Sequence, residues 1–136
     1  MNNAKIDRYP VEKMLIDSNL IIYATQPQQV ELRHWFIENA SHYSAISRLE
    51  TLGYQRLSDT EAQLIHTILD NLDRVAIDDV VLELAIGLRR QRKMSLGDAL
   101  IAATCLAHAL PLATANDDDF DWIEELEVYN PMDKNP

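Results

Sequence analysis

The six residues MLIDSN, Met14–Asn19, set the fold class. Three apolar residues run together and end in an acid followed by two small polar residues. A strand covered by helices on both faces reads as such a continuous apolar run, whereas a strand with one wet face alternates. Working outward, strand signals recur at HYSAIS (42–47), RVAI (74–77), LPLATA (110–115) and LEVYNP (126–131). Between them lie helical patterns. One spans 30–39, with Leu32, Trp35 and Phe36 at core spacing. A second follows Ser58 and carries Leu64, Ile65, Ile68, Leu69 and Leu72, and a third carries Val81, Leu84, Ala85 and Leu88. Residues 116–123, NDDDFDWI, read as a turn into a short helix. Strands alternating with helices predict an α/β domain with a mostly parallel four- to five-stranded sheet sandwiched by helices.

A chain of 136 residues suits one core rather than two. Residues 1–13 are polar and irregular, so an N-terminal extension is expected there, with Met14 a candidate start. The domain then runs over 14–131, with a loose tail at 132–136. The apolar stretch after Ala99 stops short of the roughly 20 residues of a membrane span, and no signal peptide is read at the start. With Cys105 alone, an intramolecular disulfide and a thiolate zinc site are both excluded, which fits a reducing cytoplasm. His34, His42, His66 and His108 lack the short paired spacing of zinc ligands. The net charge of −10 argues against a protein that coats nucleic acid. Taking four site acids out still leaves −6, which would suit a basic protein partner.

Three stretches place a serine three residues before an acid: SRLE (47–50), SDTE (58–61) and SLGD (95–98). This is the capping-box pattern, so helices are expected to start at Ser47, Ser58 and Ser95. The helix after Ser95 is apolar all round, which predicts burial between the sheet and another surface, such as a second subunit. Before it, RRQRK (89–93) ends a helix. Its cations either complement the helix C-terminus or contact phosphate beside SLGD.

In parallel sheets ligands sit beyond the carboxyl ends of the strands, near the point where strand order reverses. Asp17 ends the first strand, Glu50 is expected in the first turn of the helix after the second, and Asp117–Asp119 follow the fourth. Asp98 opens the apolar helix. Carboxylates gathered without a cation repel one another, and a divalent ion removes that penalty. Oxygen-only ligands select hard ions, Mg²⁺ or else Mn²⁺.

The ordered set LIDSN, ISRLE, LGDALIAAT and TANDDDF resembles the PIN-domain family, and within it the VapC-type ribonuclease toxins of type II toxin-antitoxin systems. The resemblance runs from Met14 to about Pro131. It implies catalytic roles for Asp17, Glu50, Asp98 and Asp119, with Asp17, Asp98 and Asp119 holding metal. Asn19, Thr114, Asn116 and Asp117 would support them. Ala115 stands where the family often has arginine, which leaves Asn116, Asp117 and Asp119 as competing ligands, Asp119 preferred. The resemblance further implies a Mg²⁺-dependent endoribonuclease, a homodimer, and a small DNA-binding cognate antitoxin as partner. Arg89, Arg90, Arg92 and Lys93 become candidate RNA contacts. The recurring boxes and the resemblance together give the expectation for SLGD: Ser95 fixes the helix start, Gly97 keeps the approach open, and the Asp98 carboxylate is left free to face a metal.

Other classes fit less well. A receiver-type signalling domain needs a lysine after the last strand, and none precedes Lys134. A phosphatase with an Asp nucleophile needs a second Asp where Asn19 stands. Three glycines cannot build a phosphate-cradling loop. A catalytically inactive PIN-like interaction module remains the alternative, though its expected mark, loss of a main acid, is absent.

Overall fold

The structure, a computed structural model, describes residues 13–133. Of the expected extension at 1–13 all but Lys13 lies outside the described residues, and of the expected tail at 132–136 residues 134–136 do. Within them the chain forms β1 (Leu15–Ile16), α1 (Ser18–Ala24), α2 (Val30–Asn39), β2 (His42–Ser44), α3 (Ala45–Leu52), α4 (Asp59–Asp70) and β3 (Asp73–Val75). It continues through α5 (Asp79–Gln91), α6 (Leu96–His108), β4 (Leu112–Ala113), a 3₁₀ turn (Asp117–Asp119) and β5 (Val128–Tyr129). The strands make one sheet in the order β3-β2-β1-β4-β5, and every pairing is parallel. This is the predicted α/β class.

β1 is the central strand, pairing Leu15 with His42 on one side and with Leu112 on the other. Alternate side chains point to opposite faces of a strand. Leu15 and Leu112 accordingly join the core beneath α5 and α6, with Val81, Leu88, Ile101 and Phe120. Ile16 and Ala113 join the opposite core beneath α1, α2 and α4, with Leu20, Phe36, Ile65 and Leu69. Both faces of the run MLI are dry, which is why it reads as unbroken.

Four details depart from the sequence reading. Helix α1 was not anticipated: it has only seven residues, several of them β-branched or aromatic, and burial of Leu20, Ile21 and Ala24 against the sheet holds it helical. Strand β2 ends early because Ser44 caps α3, its hydroxyl accepting from Ile46 N. Ser47 is therefore no helix cap but a fully buried residue inside α3, and Glu50 lies in its second turn rather than its first. β3 covers Asp73–Val75, one residue ahead of RVAI. Finally, the surface that the apolar α6 was expected to meet opposite the sheet is α5 of the same chain, which packs along it. The other two caps form. Ser58 and Glu61 make both bonds of a full box, at 3.1 and 3.0 Å, and Ser95 accepts from Asp98 N at 3.0 Å.

Candidate active site

The strand order reverses between β1 and β4, so the crevice beyond their carboxyl ends is open to a ligand. Asp17 stands at its floor. The residue leaves β1 in extended conformation, its N–H donates to the Ala113 carbonyl at 2.9 Å, and its side chain is only 3% exposed. The next strand supplies its partner: the buried Thr114, directly after β4, donates its hydroxyl to Asp17 Oδ2 at 2.7 Å. Burial raises the Asp17 pKa from an ordinary 3.8 to about 6; the Thr114 bond opposes that rise, while the charges of Asp98 and Glu50 add to it. Among the described residues, the charges that act most on it are both negative. Burial, and after it the charge of Asp17, push the Cys105 thiol far upward, so the lone cysteine is not a nucleophile here.

Glu50 reaches the crevice from α3. A hydroxyl carries one proton, so Ser18 gives it to Glu50 Oε1 at 2.6 Å and accepts one from Ser47 at 2.8 Å. The early start of α3 is what turns Ser47 inward for this relay. Gly97 matters here for a reason different from the expected one. A methyl group at that position would collide with the Glu50 carboxylate, so the glycine makes room for Glu50 rather than for solvent. Asp98, in the first turn of α6, is half-buried. Its pKa is raised by burial first, then by Asp119 and Glu50, against a bond from the Ser95 hydroxyl. Its carboxylate is thus not wholly free, since Ser95 engages it.

Asp119 lies at the end of the 3₁₀ turn, exposed, and faces Asp98 across a cleft of about 560 Å³. Arg89, Arg92, Lys93, Asp118 and Trp122 also line this cleft; Arg90 does not. Three of the four basic candidates are thereby brought beside the acids. Asp117 is engaged elsewhere, accepting from Asn130 Nδ2 at 3.2 Å. Asn116 is half-buried with its N–H donating to the Thr114 hydroxyl, and Asn19 is exposed on α1. Among the described residues, the trio of acids whose oxygens lie within 4.8 Å of one another is Asp117, Asp118 and Asp121. Two of these, Asp118 and Asp121, are exposed, where solvent screens their repulsion. The acids that carry a buried electrostatic cost are instead Asp17 and Asp98.

Ser18, Ser47 and Trp122 take part in this geometry without having been singled out. Ser18 was visible inside the DSN motif. Ser47 was hidden by its match to a capping box, and Trp122 carries no periodic signal at all.

A parallel, doubly wound α/β domain with acids gathered at its switch point defines the class of protein. The chain belongs to the PIN domain family, whose profile matches residues 14–126. Solved structures agree. A toxin-antitoxin complex from Klebsiella pneumoniae is 26% identical, with a TM-score of 0.69 over 85% of this chain and 95% of that one. DNA-bound VapBC from Salmonella typhimurium is similar at 17% identity, with a TM-score of 0.73 over 87% of this chain and 97% of that one. VapBC2 from Rickettsia felis, bound to a DNA fragment from its promoter, gives 18% and 0.71 over 86% and 97%. A comparison with curated protein sequences found no match.

Proposed function

We propose that this chain is a VapC-like toxin, an endoribonuclease whose activity depends on Mg²⁺, with Mn²⁺ as a substitute, and that a cognate antitoxin neutralises it. The observation that carries the reading is Asp17. It is a buried carboxylate with a raised pKa, and the charges that add to the rise are those of Asp98 and Glu50. A site that gathers negative charge at such a cost is relieved by a divalent ion, and its oxygen donors suit a hard one.

Asp17, Asp98 and Asp119 are assigned as the residues that would hold the ion, and the PIN domain as residues 14–131. When bound, the ion supplies Lewis-acid activation of water and charge for a phosphoryl oxygen. Thr114 fixes the Asp17 carboxylate so that it meets the site in one orientation. Glu50 is assigned the uptake of a proton, supported by its exposed carboxylate and by the Ser18 bond that orients it. Asn19, Asn116 and Asp117 keep supporting roles, and Arg89, Arg92 and Lys93 the RNA phosphates.

The antitoxin partner is supported by the toxin-antitoxin complexes among the structural neighbours and by the acidic balance of the chain. An apolar groove between α2 and α4, lined by Phe36, Ile37, Ile68 and Leu72, supports capture of a partner segment. The exposed Leu49, Leu82 and Ile86 support a homodimer. No helix among the described residues is long and apolar enough to cross a membrane; with the lone buried thiol, this supports a cytoplasmic site of action. The test is cleavage of structured RNA by the purified chain with Mg²⁺, against Asp98→Asn. The variant is expected to fold and to lose at least about 100-fold in rate, the scale of removing a directly acting polar group. Equal cleavage by both chains would remove Asp98 from the site.

A further inference from the structure

The cleft between α5 and the 3₁₀ turn joins three kinds of group: carboxylates at one wall, guanidinium and ammonium groups at the other, and one indole. Trp122 is half-buried, and its Nε1 donates to the Asp119 carbonyl at 3.1 Å, so the ring is tied to the same turn that presents the Asp119 carboxylate. Above the ring lies Arg92, its guanidinium carbon 5.5 Å from the centroid. Arg92 is exposed and caps the C-terminus of α5. Arg89 donates through Nε to the Met94 carbonyl at 3.1 Å and so ties the segment that carries Arg92 and Lys93 back to α5.

We propose that this cleft is a nucleotide subsite for single-stranded RNA, in which one base stacks on Trp122 while Arg92 and Lys93 take the flanking phosphates. The proposal rests on the nuclease reading above and deepens it by adding a recognition element next to the acids. An exposed cation–π contact is weaker than base–aromatic stacking. A base therefore replaces the Arg92 guanidinium on the ring, and the released guanidinium turns to phosphate, for which its planar donor fork is suited. The cleft, at about 560 Å³, lies within the range of small-molecule sites. Every base offers a π-face, so such a subsite selects an unpaired nucleotide without reading its identity. A paired base, stacked within its own helix, presents no face to the indole.

The chain has two tryptophans, so Trp35→Phe leaves Trp122 as the only indole emitter. In a chain that also carries Asp98→Asn, to keep RNA intact, an oligoadenylate is expected to quench this emission saturably. An abasic ribose-phosphate oligomer of equal length is expected to leave it unchanged. Trp122→Leu should weaken oligoadenylate binding between about 5-fold and about 100-fold, the range for losing one stacked base, and Trp122→Phe should restore most of it. A melting curve of each variant establishes that it is folded. Equal quenching by the abasic oligomer, or unchanged binding by Trp122→Leu, overturns the subsite. Since the titration needs no cleavage, the two readings fail separately. A chain that binds and quenches but never cuts RNA refutes the nuclease alone, and one that cuts RNA with Trp122→Leu as tightly bound as wild type refutes the subsite alone.

Discussion

Asp17→Asn should make the metal-free protein more stable at neutral pH while removing its activity. The carboxyl has a pKa of about 6 in the folded chain against an ordinary 3.8. Its folded value is the higher one, so the stability it contributes is fully present below about pH 3.8 and is lost as the pH rises through about 6. Each tenfold in acidity is worth about 1.36 kcal/mol, which makes the loss about 3 kcal/mol at pH 7.5. An asparagine keeps an oxygen to accept the Thr114 hydroxyl at 2.7 Å, but its amide protons need acceptors, which offsets about 1 kcal/mol. A net gain of about 2 kcal/mol is expected, equivalent to about 8 °C in melting temperature for a chain of this size. The assay is thermal unfolding in EDTA from pH 5 to pH 8. The wild-type curve should fall relative to the variant between pH 5 and about pH 6.5 and run parallel to it above that, the first half of the loss having fallen between about pH 3.8 and pH 5. Saturating Mg²⁺ should close the gap by raising the wild type alone. If the variant is no more stable at pH 7.5 in EDTA, or if both chains follow the same pH dependence, the burial argument for the metal site is wrong.

Gly97→Ala offers a separation of the opposite kind. The new methyl group displaces only the flexible end of Glu50 and gains up to about 1 kcal/mol in helix propensity, so melting should shift by less than about 4 °C. Cleavage should fall at least about tenfold, and full activity would mean that the Glu50 position is irrelevant. Arg89→Ala is expected to lower the dependence of RNA binding on salt by about one unit of slope. Arg90→Ala, outside the cleft, should leave that slope unchanged, so equal slopes in the two variants would refute the basic wall. Ser58→Ala, at the box with no acid in the site, should cost about 1 kcal/mol in unfolding experiments and leave cleavage of RNA unaltered.

The class of fold was legible because burial on two faces leaves a mark in one dimension. The run MLI has both faces dry, and the helix from Val30 to Asn39 shows its core stripe at the expected spacing. The complete box at Ser58 was equally visible, since its bonds join residues three apart. Local patterns failed where a distant contact decides the outcome. SRLE has the letters of a cap, yet Ser44 wins that role one turn earlier and Ser47 is turned inward to Ser18, 29 residues away in sequence. Helix α1 likewise depends on burial against the sheet.

For the site, sequence order alone singled out Asp17, Glu50 and Asp98, because strand ends and helix starts are local features and the motif spacing is distinctive. Among Asn116, Asp117 and Asp119 it could prefer Asp119 only on the family pattern, since neighbouring residues on a turn differ only in where the turn points them. The bond from Asn130 engages Asp117, and the cleft against α5 takes in Asp119 with Arg92 and Trp122. The electrostatic cost at Asp17 was equally invisible along the chain. It arises from solvent excluded by strands β1 and β4 and from charges contributed by α3 and α6, and only the packed sheet brings these together.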